Sequence, residues 1–312
     1  MCNERKILID TDIGDDIDDA IALFAAMREG FELVGVTTVF RNTVERARMA
    51  KKLLNLYGRG YEHTPVYAGY GASLTGKAQE QTHVPHYTPD AEEYQPDSVD
   101  PEAAVDFIIE SCRKYGNELT VIAIGPFTNI ARAIRKDPDA LNLCGRVCIM
   151  GGAFFKQYAD WNVMCDVEAA DLMLRTLDNL ECIGADVTHL CEAEPDLYNA
   201  LLHAPHNDRA REYLAEMCEL WRNDRPGARL LLHDPLVIYY LAEPSLCSMQ
   251  SITAAVITEG FARGMTLNVN AYGKKRMNEA AYAGHPMKIC RAAQKVDVGK
   301  LNRMLCDDLA EL

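Results

Sequence analysis

The chain has 312 residues, 48% of them hydrophobic, enough to bury a large core. Its formal net charge of −14 argues against nucleic acid or an anionic membrane surface as partner, because phosphate-rich surfaces are held by clustered Lys and Arg, and it weighs against a highly phosphorylated substrate. The eleven cysteines are scattered with no C-x-x-C pair, no apolar leader follows Met1 and no membrane-length apolar run occurs, so the expectation is reduced thiols in a cytoplasm.

In chain order, Lys6-Ile-Leu-Ile9 reads as a buried parallel strand entering a turn at Gly14. It leads into six aspartates within ten positions: Asp10, Asp12, Asp15, Asp16, Asp18 and Asp19. Carboxylates this close repel one another and partial burial raises the cost, so a hard divalent cation is the simplest source of compensating charge. Ala20, Leu23, Phe24 and Met27 follow at helical spacing and predict an amphipathic helix, with Asp18 and Asp19 at its N-cap and first turn. The acidic cluster is then a strand-to-helix loop at the carboxyl end of a strand, where open α/β sheets bind ligands and where oxygen donors suit Ca²⁺ or Mg²⁺. Capping and the helix dipole use one or two acids, each contributing about 0.5–2 kcal/mol, and so do not account for six.

Leu33–Val39 predicts a second strand, closing in Phe40-Arg-Asn42; an Asn there is by itself a common turn residue. Gly69 to Asp100 is rich in Gly, Pro, His and Tyr and predicts a long loop of the lid or binding kind. Within it, His83-Val-Pro-His86 has a metal-like spacing, but its proline and polar surroundings point to a loop near a site mouth rather than to zinc. His233-Asp-Pro-Leu236, taken alone, reads as a helix start with Asp as N-cap and Pro at N1. Strand and helix patterns alternate with no linker and no repeat, which predicts one α/β domain over residues 1–312, with a mostly parallel central sheet flanked by helices.

A haloacid-dehalogenase-type phosphatase also places D-x-D after its first strand, but continues with Gly-Thr or a close variant where this chain has Ile13-Gly14; a dinucleotide turn needs glycines and repels extra acids. Asp10-Thr-Asp-Ile-Gly14 and Asp18-Asp-Ala20 instead resemble the two halves of the first loop of nucleoside hydrolases, D-x-D-x-G and D-D-A, which binds Ca²⁺. Thr120-Val-Ile-Ala-Ile-Gly-Pro-Phe-Thr-Asn-Ile130 resembles a later strand-turn-helix segment of that family, and Val147–Ala153, Ala159-Asp-Trp-Asn-Val163, Asp166-Val-Glu-Ala-Ala170, Gly184–His189 and His233-Asp-Pro-Leu236 match further segments in the same order. The resemblance runs from about Lys6 to Leu301 and implies a Rossmann-like nucleoside hydrolase fold that cleaves the N-glycosidic bond of ribonucleosides with Ca²⁺, usually as a dimer or tetramer. It assigns the cation to Asp12, Asp19, Asp234 and the Ile124 carbonyl, proton abstraction from water to Asp18, and the sugar to Asn42, Asp160 and Asn162. His233 would protonate the departing base, its reference pKa near 6.5 allowing transfer near neutrality. Asp10 would orient the cluster from behind, and Trp161 is either a stacking surface or a core residue.

Three departures stand out. Asp12 and the Asp-Asp-Ala motif lie two residues further apart than in the best-known members, so spacing counted from Asp12 makes Asp16 the base, whereas the helix register of Ala20-Ile-Ala-Leu23 makes it Asp18. Asp160 stands where Glu is usual, and the loop from Ala153 to Asp160 is shortened. These keep open a non-catalytic, calcium-dependent nucleoside- or ribose-binding protein as the alternative, with a metal-dependent phosphatase as a second. Base preference lies in the variable stretches near His83 and from Tyr213 to Arg229 and is not legible in one sequence.

Overall fold

The computed structural model describes residues 6–203, 208–269 and 287–310. In chain order the elements are β1 (Lys6–Thr11), α1 (Asp18–Arg28), β2 (Glu32–Thr38), α2 (Thr43–Tyr57), β3 (Val66–Ala68), α3 (Pro101–Tyr115), β4 (Leu119–Ala123), α4 (Thr128–Lys136), α5 (Ala140–Leu143), β5 (Arg146–Met150), α6 (Trp161–Cys165), α7 (Val167–Thr176) and β6 (Leu180–Ile183). There follow α8 (Ala185–Thr188), α9 (Pro195–Leu202), α10 (Arg209–Asp224), α11 (His233–Ala242), β7 (Cys247–Val256), β8 (Thr266–Asn268), β9 (Ile289–Val296) and α12 (Val298–Ala310). The nine strands order as β3-β2-β1-β4-β5-β6-β9-β7-β8. All neighbours from β3 through β9 are parallel; β7 runs antiparallel to β9 and to β8. The expected α/β architecture with a mostly parallel sheet is thus present.

Chain order reverses between β1 and β4, the switch point where such sheets open a crevice beyond their carboxyl ends. The loops leaving these two strands run side by side, joined by the bond from the Ile124 N–H to the Asp10 carbonyl at 2.9 Å. Asn129 locks the arrangement: its Nδ2 donates to the Asp10 carboxylate (2.8 Å) and the Thr38 carbonyl (3.0 Å), while its Oδ1 accepts from the Tyr70 N–H (2.9 Å). One amide therefore ties the ends of β1 and β2 to the long loop.

The helix after β1 departs from the amphipathic expectation. Every residue of α1 from Asp18 to Met27 is buried. It packs against α2, α11 and α12 as well as facing the sheet, and Ile21, Ala22, Ala25 and Ala26 supply the apolar cover that the Ala20/Leu23/Phe24/Met27 stripe leaves out. A helix enclosed on all sides has no polar face to show. Among the described residues no helix is long and apolar enough to cross a membrane.

The loop from Gly69 to Asp100 is irregular except for a 3₁₀ turn at Pro89–Glu93, and it is pinned rather than free. Asp166 accepts from the Leu74 N–H (2.6 Å) and the Thr128 hydroxyl (2.6 Å), and the buried Lys52 ammonium reaches Asp90 (2.7 Å) and Thr88 (2.9 Å). Gly14 sits beneath it at φ +114°, where a Cβ would come within 2.2 Å of Val84 Cγ1 and 2.9 Å of Met49 Sδ. Gly14→Ala combines a left-handed backbone with overpacking and should cost roughly 2–4 kcal/mol. The denaturation midpoint reads this; a loss under about 1 kcal/mol would show that the loop yields.

Candidate active site

Past the end of β1 the chain makes a wide turn and places its acids in two groups. Asp15 and Asp16 turn toward cations. Arg46, on α2 and fully buried, donates to the Asp15 carboxylate at 2.8 Å, to the carbonyls of Ile13 and Phe40 at 2.9 Å each, and to the carbonyl of Asp12. Arg41 (3.3 Å) and Gln81 (2.7 Å) complete the surround of Asp15. Burial pushes the Asp15 carboxyl up, but Arg46, Gln81 and Arg41 together outweigh it and hold it below the usual carboxylate range. Asp16 pairs with Arg225 at 2.7 Å, and the same guanidinium donates to the Asp15 carbonyl at 2.7 Å.

Asp12, Asp18 and Asp19 are buried without a cation of the protein on their carboxylates among the described residues, and Asp234 of α11 meets them. Carboxylate oxygens of Asp18, Asp19 and Asp234 lie within 4.8 Å of one another. Asp19 accepts from the Thr11 hydroxyl, and Asp18 accepts from the Asp234 N–H at 3.3 Å. Burial, then repulsion from neighbouring acids, pushes the carboxyls of Asp12, Asp18, Asp19 and Asp234 upward. Behind them, Asp10 accepts from Thr37 Oγ1 (2.6 Å) and Asn129, and burial raises it to about 7; its second oxygen has no partner among the described residues. Four crowded acids, all hard oxygen donors, fit a hard divalent cation.

These groups line a cavity of about 610 Å³, large enough for a small organic ligand. Asp12, Asp16, Asp18, Asp19, Ile124, Asp160, Trp161, Asn162, His233 and Asp234 all reach its wall. Asp160 caps α6 by accepting from the Val163 N–H (3.2 Å), and burial raises its carboxyl to about 6. Asn162 Nδ2 donates to the carbonyls of Ile124 (2.7 Å) and Met150 (3.1 Å). A carbonyl carries two lone pairs, so the Ile124 oxygen keeps one for a cation. Trp161 is 57% exposed, which removes the core reading and leaves a ring surface at the rim.

Two expectations change. Asn42 does not line this cavity: its Oδ1 caps α2 by accepting from the Glu45 N–H (3.2 Å), its Nδ2 donates to the Thr82 carbonyl (3.3 Å), and it borders a separate shallow groove with Arg41 and Gln79. The turn character of an Asn at a strand end wins here, because a free helix N-terminus is the nearest demand on it. His233 lies in the wall as expected, but burial, then His189, holds its imidazole down to about 4, so the ring is neutral near pH 7 and is not a stored proton. His83 and His86 diverge, the first paired with Glu45 (3.0 Å) and the second fully buried, as a loop rather than a zinc site requires.

Sequence reading missed Arg46, Arg225 and His189. Arg225 falls in the variable stretch flagged above, and His189 ends a matched segment, but Arg46 gives no local signal: it looks like any charge on an α2 whose buried face is legible only in three dimensions.

The family model for "Inosine-uridine preferring nucleoside hydrolase" matches residues 7–303. The chain is 31% identical to "Non-specific ribonucleoside hydrolase RihC" of Salmonella newport, covering 88% of this chain and 90% of that protein. It is 28% identical to "Probable uridine nucleosidase 1" of rice, Oryza sativa subsp. japonica, over 94% of this chain and 93% of the relative. Among solved structures, a plant nucleoside hydrolase, PpNRh1, superimposes with a TM-score of 0.79 at 26% identity, covering 99% of this chain and all of the other. A purine-preferring ribonucleoside hydrolase from Gardnerella vaginalis gives 0.77 at 26% identity, over 97% and 98% of the two chains. With that family model matching almost the whole length of a chain whose sheet sets crowded carboxylates at its switch point, the assignment follows: it belongs to the inosine-uridine preferring nucleoside hydrolases.

Proposed function

We propose that this N-glycosyl hydrolase cleaves ribonucleosides to ribose and free base in a calcium-dependent reaction, as one catalytic domain over residues 1–312 that works in a cytoplasm as a homodimer or homotetramer. The observation that carries the metal reading is the convergence of Asp18, Asp19 and Asp234 in the cavity wall, with Asp12 beside them and with Arg46 and Arg225 already committed to Asp15 and Asp16. The ten described cysteines are free thiols, which suits a reducing compartment.

Asp12, Asp19, Asp234 and the Ile124 carbonyl would hold the cation. When bound, Ca²⁺ supplies charge that lowers the pKa of water and anchors sugar hydroxyls. Departure of the base leaves an oxocarbenium-like sugar open to water on the opposite face. Asp18 takes the water's proton. Asp160 and the amide oxygen of Asn162, whose nitrogen is engaged with backbone, accept from ribose hydroxyls and fix the sugar's position. Trp161 covers the substrate at the rim. His233, neutral, steadies charge on the departing base by hydrogen bonding.

Chelation should abolish ribose release from inosine or uridine, and Ca²⁺ should restore it better than Zn²⁺, which favours nitrogen and sulfur ligands. Full turnover in excess chelator would refute the metal reading.

Asp18→Asn cannot take the proton, so kcat should fall by roughly 10²–10⁴ while calcium affinity, read by calorimetry, stays within a few-fold. Asp16→Asn, which loses only the Arg225 pair, should do less. If Asp18→Asn loses calcium as well, Asp18 belongs with Asp19 and Asp234 as a ligand, and Asp12→Asn should then show the kinetic loss with metal retained.

His233→Ala should slow inosine and uridine, which have poor leaving groups, by roughly 10²-fold, and leave a nitrophenyl riboside nearly unaffected. Equal loss on both substrates would mean that His233 serves only to place Asp234.

A further inference from the structure

His233 Nδ1 lies 2.7 Å from Thr188 Oγ1, and the proton between them belongs to one side or the other. Thr188 is fully buried at the end of α8, and among the described residues its hydroxyl has no partner other than this ring. If Nδ1–H donated to Oγ1, the hydroxyl hydrogen would be left buried with no acceptor, which native structures avoid. If the hydroxyl donates to Nδ1, both groups are satisfied and the ring proton must sit on Nε2. No protein group among the described residues takes up Nε2, and His233 lines the cavity.

The ring's plane is held as well. His189 meets it edge-on, with centroids 5.4 Å apart at 75°, and Tyr158 stacks on His189 at 5.1 Å and 25°. The imidazole is therefore fixed in orientation by aromatic contacts and in polarity by one hydroxyl.

We infer that Thr188 is a positioning residue for leaving-group departure: it fixes His233 as the Nε2–H tautomer, so that the cavity side of the ring is a hydrogen-bond donor to an acceptor atom of the base. This rests on the proposed hydrolase reaction. As the glycosidic bond breaks, its electron pair goes to the base nitrogen, and the Nε2–H hydrogen bond strengthens onto that growing negative charge while the proton stays on the imidazole. A ring turned or retautomerised to offer its Nε2 lone pair would instead repel the base.

The test uses the full chain with ¹⁵N-labelled histidine, the His233 signals being assigned by their loss in His233→Gln. Wild-type protein should show nitrogen shifts of the Nε2–H form without substrate. Thr188→Val, which keeps the side chain's shape, should give mixed or broadened ring signals, and its kcat should fall at least roughly tenfold more on inosine or uridine than on a nitrophenyl riboside, less than the 10²–10³ of losing a preorganised donor outright. Thr188→Ser keeps the hydroxyl and should restore both the spectrum and the substrate ratio. A merely structural role would lower stability without moving that ratio. An Nδ1–H signal in the wild type, or a substrate ratio unchanged in Thr188→Val, overturns the inference. Wild-type protein that hydrolyses no nucleoside defeats the hydrolase reading separately, because the tautomer is read from the spectrum alone.

Discussion

The guanidinium of Arg46 is fully buried and spends its donors on the carbonyls of Asp12, Ile13 and Phe40 and on the carboxylate of Asp15. Most of what happens in the cavity depends on that arrangement. A turn that crowds six acids onto one strand end would spring apart or draw in water unless something held both its backbone and its charge. A planar, permanently charged fork does both at once, since its donors match carbonyls and carboxylate together; a lysine offers a point charge without that geometry. The contact also explains where Phe40 and Arg41 sit. Both adopt positive φ, 72° and 59°, which is rare for non-glycine residues, and the carbonyl of Phe40 is thereby delivered to Arg46.

With Asp15 held from below, the two additional residues of the turn become part of the cavity's architecture. Asp16 reaches Arg225, in the segment between α10 and α11, so the turn is linked to the stretch that leads to His233 and Asp234. The His86 N–H closes onto the Gly14 carbonyl at 3.2 Å from the long loop. Three segments distant in sequence thus converge on one turn. Fixing their positions before a ligand arrives is the property that makes charged groups effective in a cavity, because they need not reorganise during reaction.

Much of this was legible in the sequence, for identifiable reasons. The strand entering the aspartates and the helix register set by Ala20-Ile-Ala-Leu23 follow from local pattern, whereas the placement of Ile124, Asp160, Trp161, Asn162, His233 and Asp234 around one cavity was legible only through the resemblance of their segments to nucleoside hydrolases. Asn42 shows the limit. Its position after β2 is as expected, but whether its side chain faces a ligand or caps the next helix depends on the direction in which Phe40 and Arg41 bend the chain, and no local pattern encodes that. Arg46 shows a second limit. The six acids did signal a need for positive charge, and a cation alone was the economical answer; that two of the six would be met by arginines from α2 and from beyond α10 required long-range contacts to see.

The division of the acids is itself informative about chemistry. The strand order is that of a dinucleotide-binding sheet, in which the loop after β1 meets a pyrophosphate with glycines and backbone N–H groups. Here the same loop carries carboxylates, which reverses the sign of what can occupy the switch point. An anion is excluded and a cation is admitted, and the polyol face of a sugar, which can both coordinate a cation and donate to carboxylates, becomes a well-matched occupant. The same cavity is also lined by Trp161, His189 and His233, flat rings suited to an uncharged heterocycle. A ligand with one hydroxyl-rich end and one planar end would meet both demands, which is the shape of a nucleoside and the physical ground for the proposed reaction.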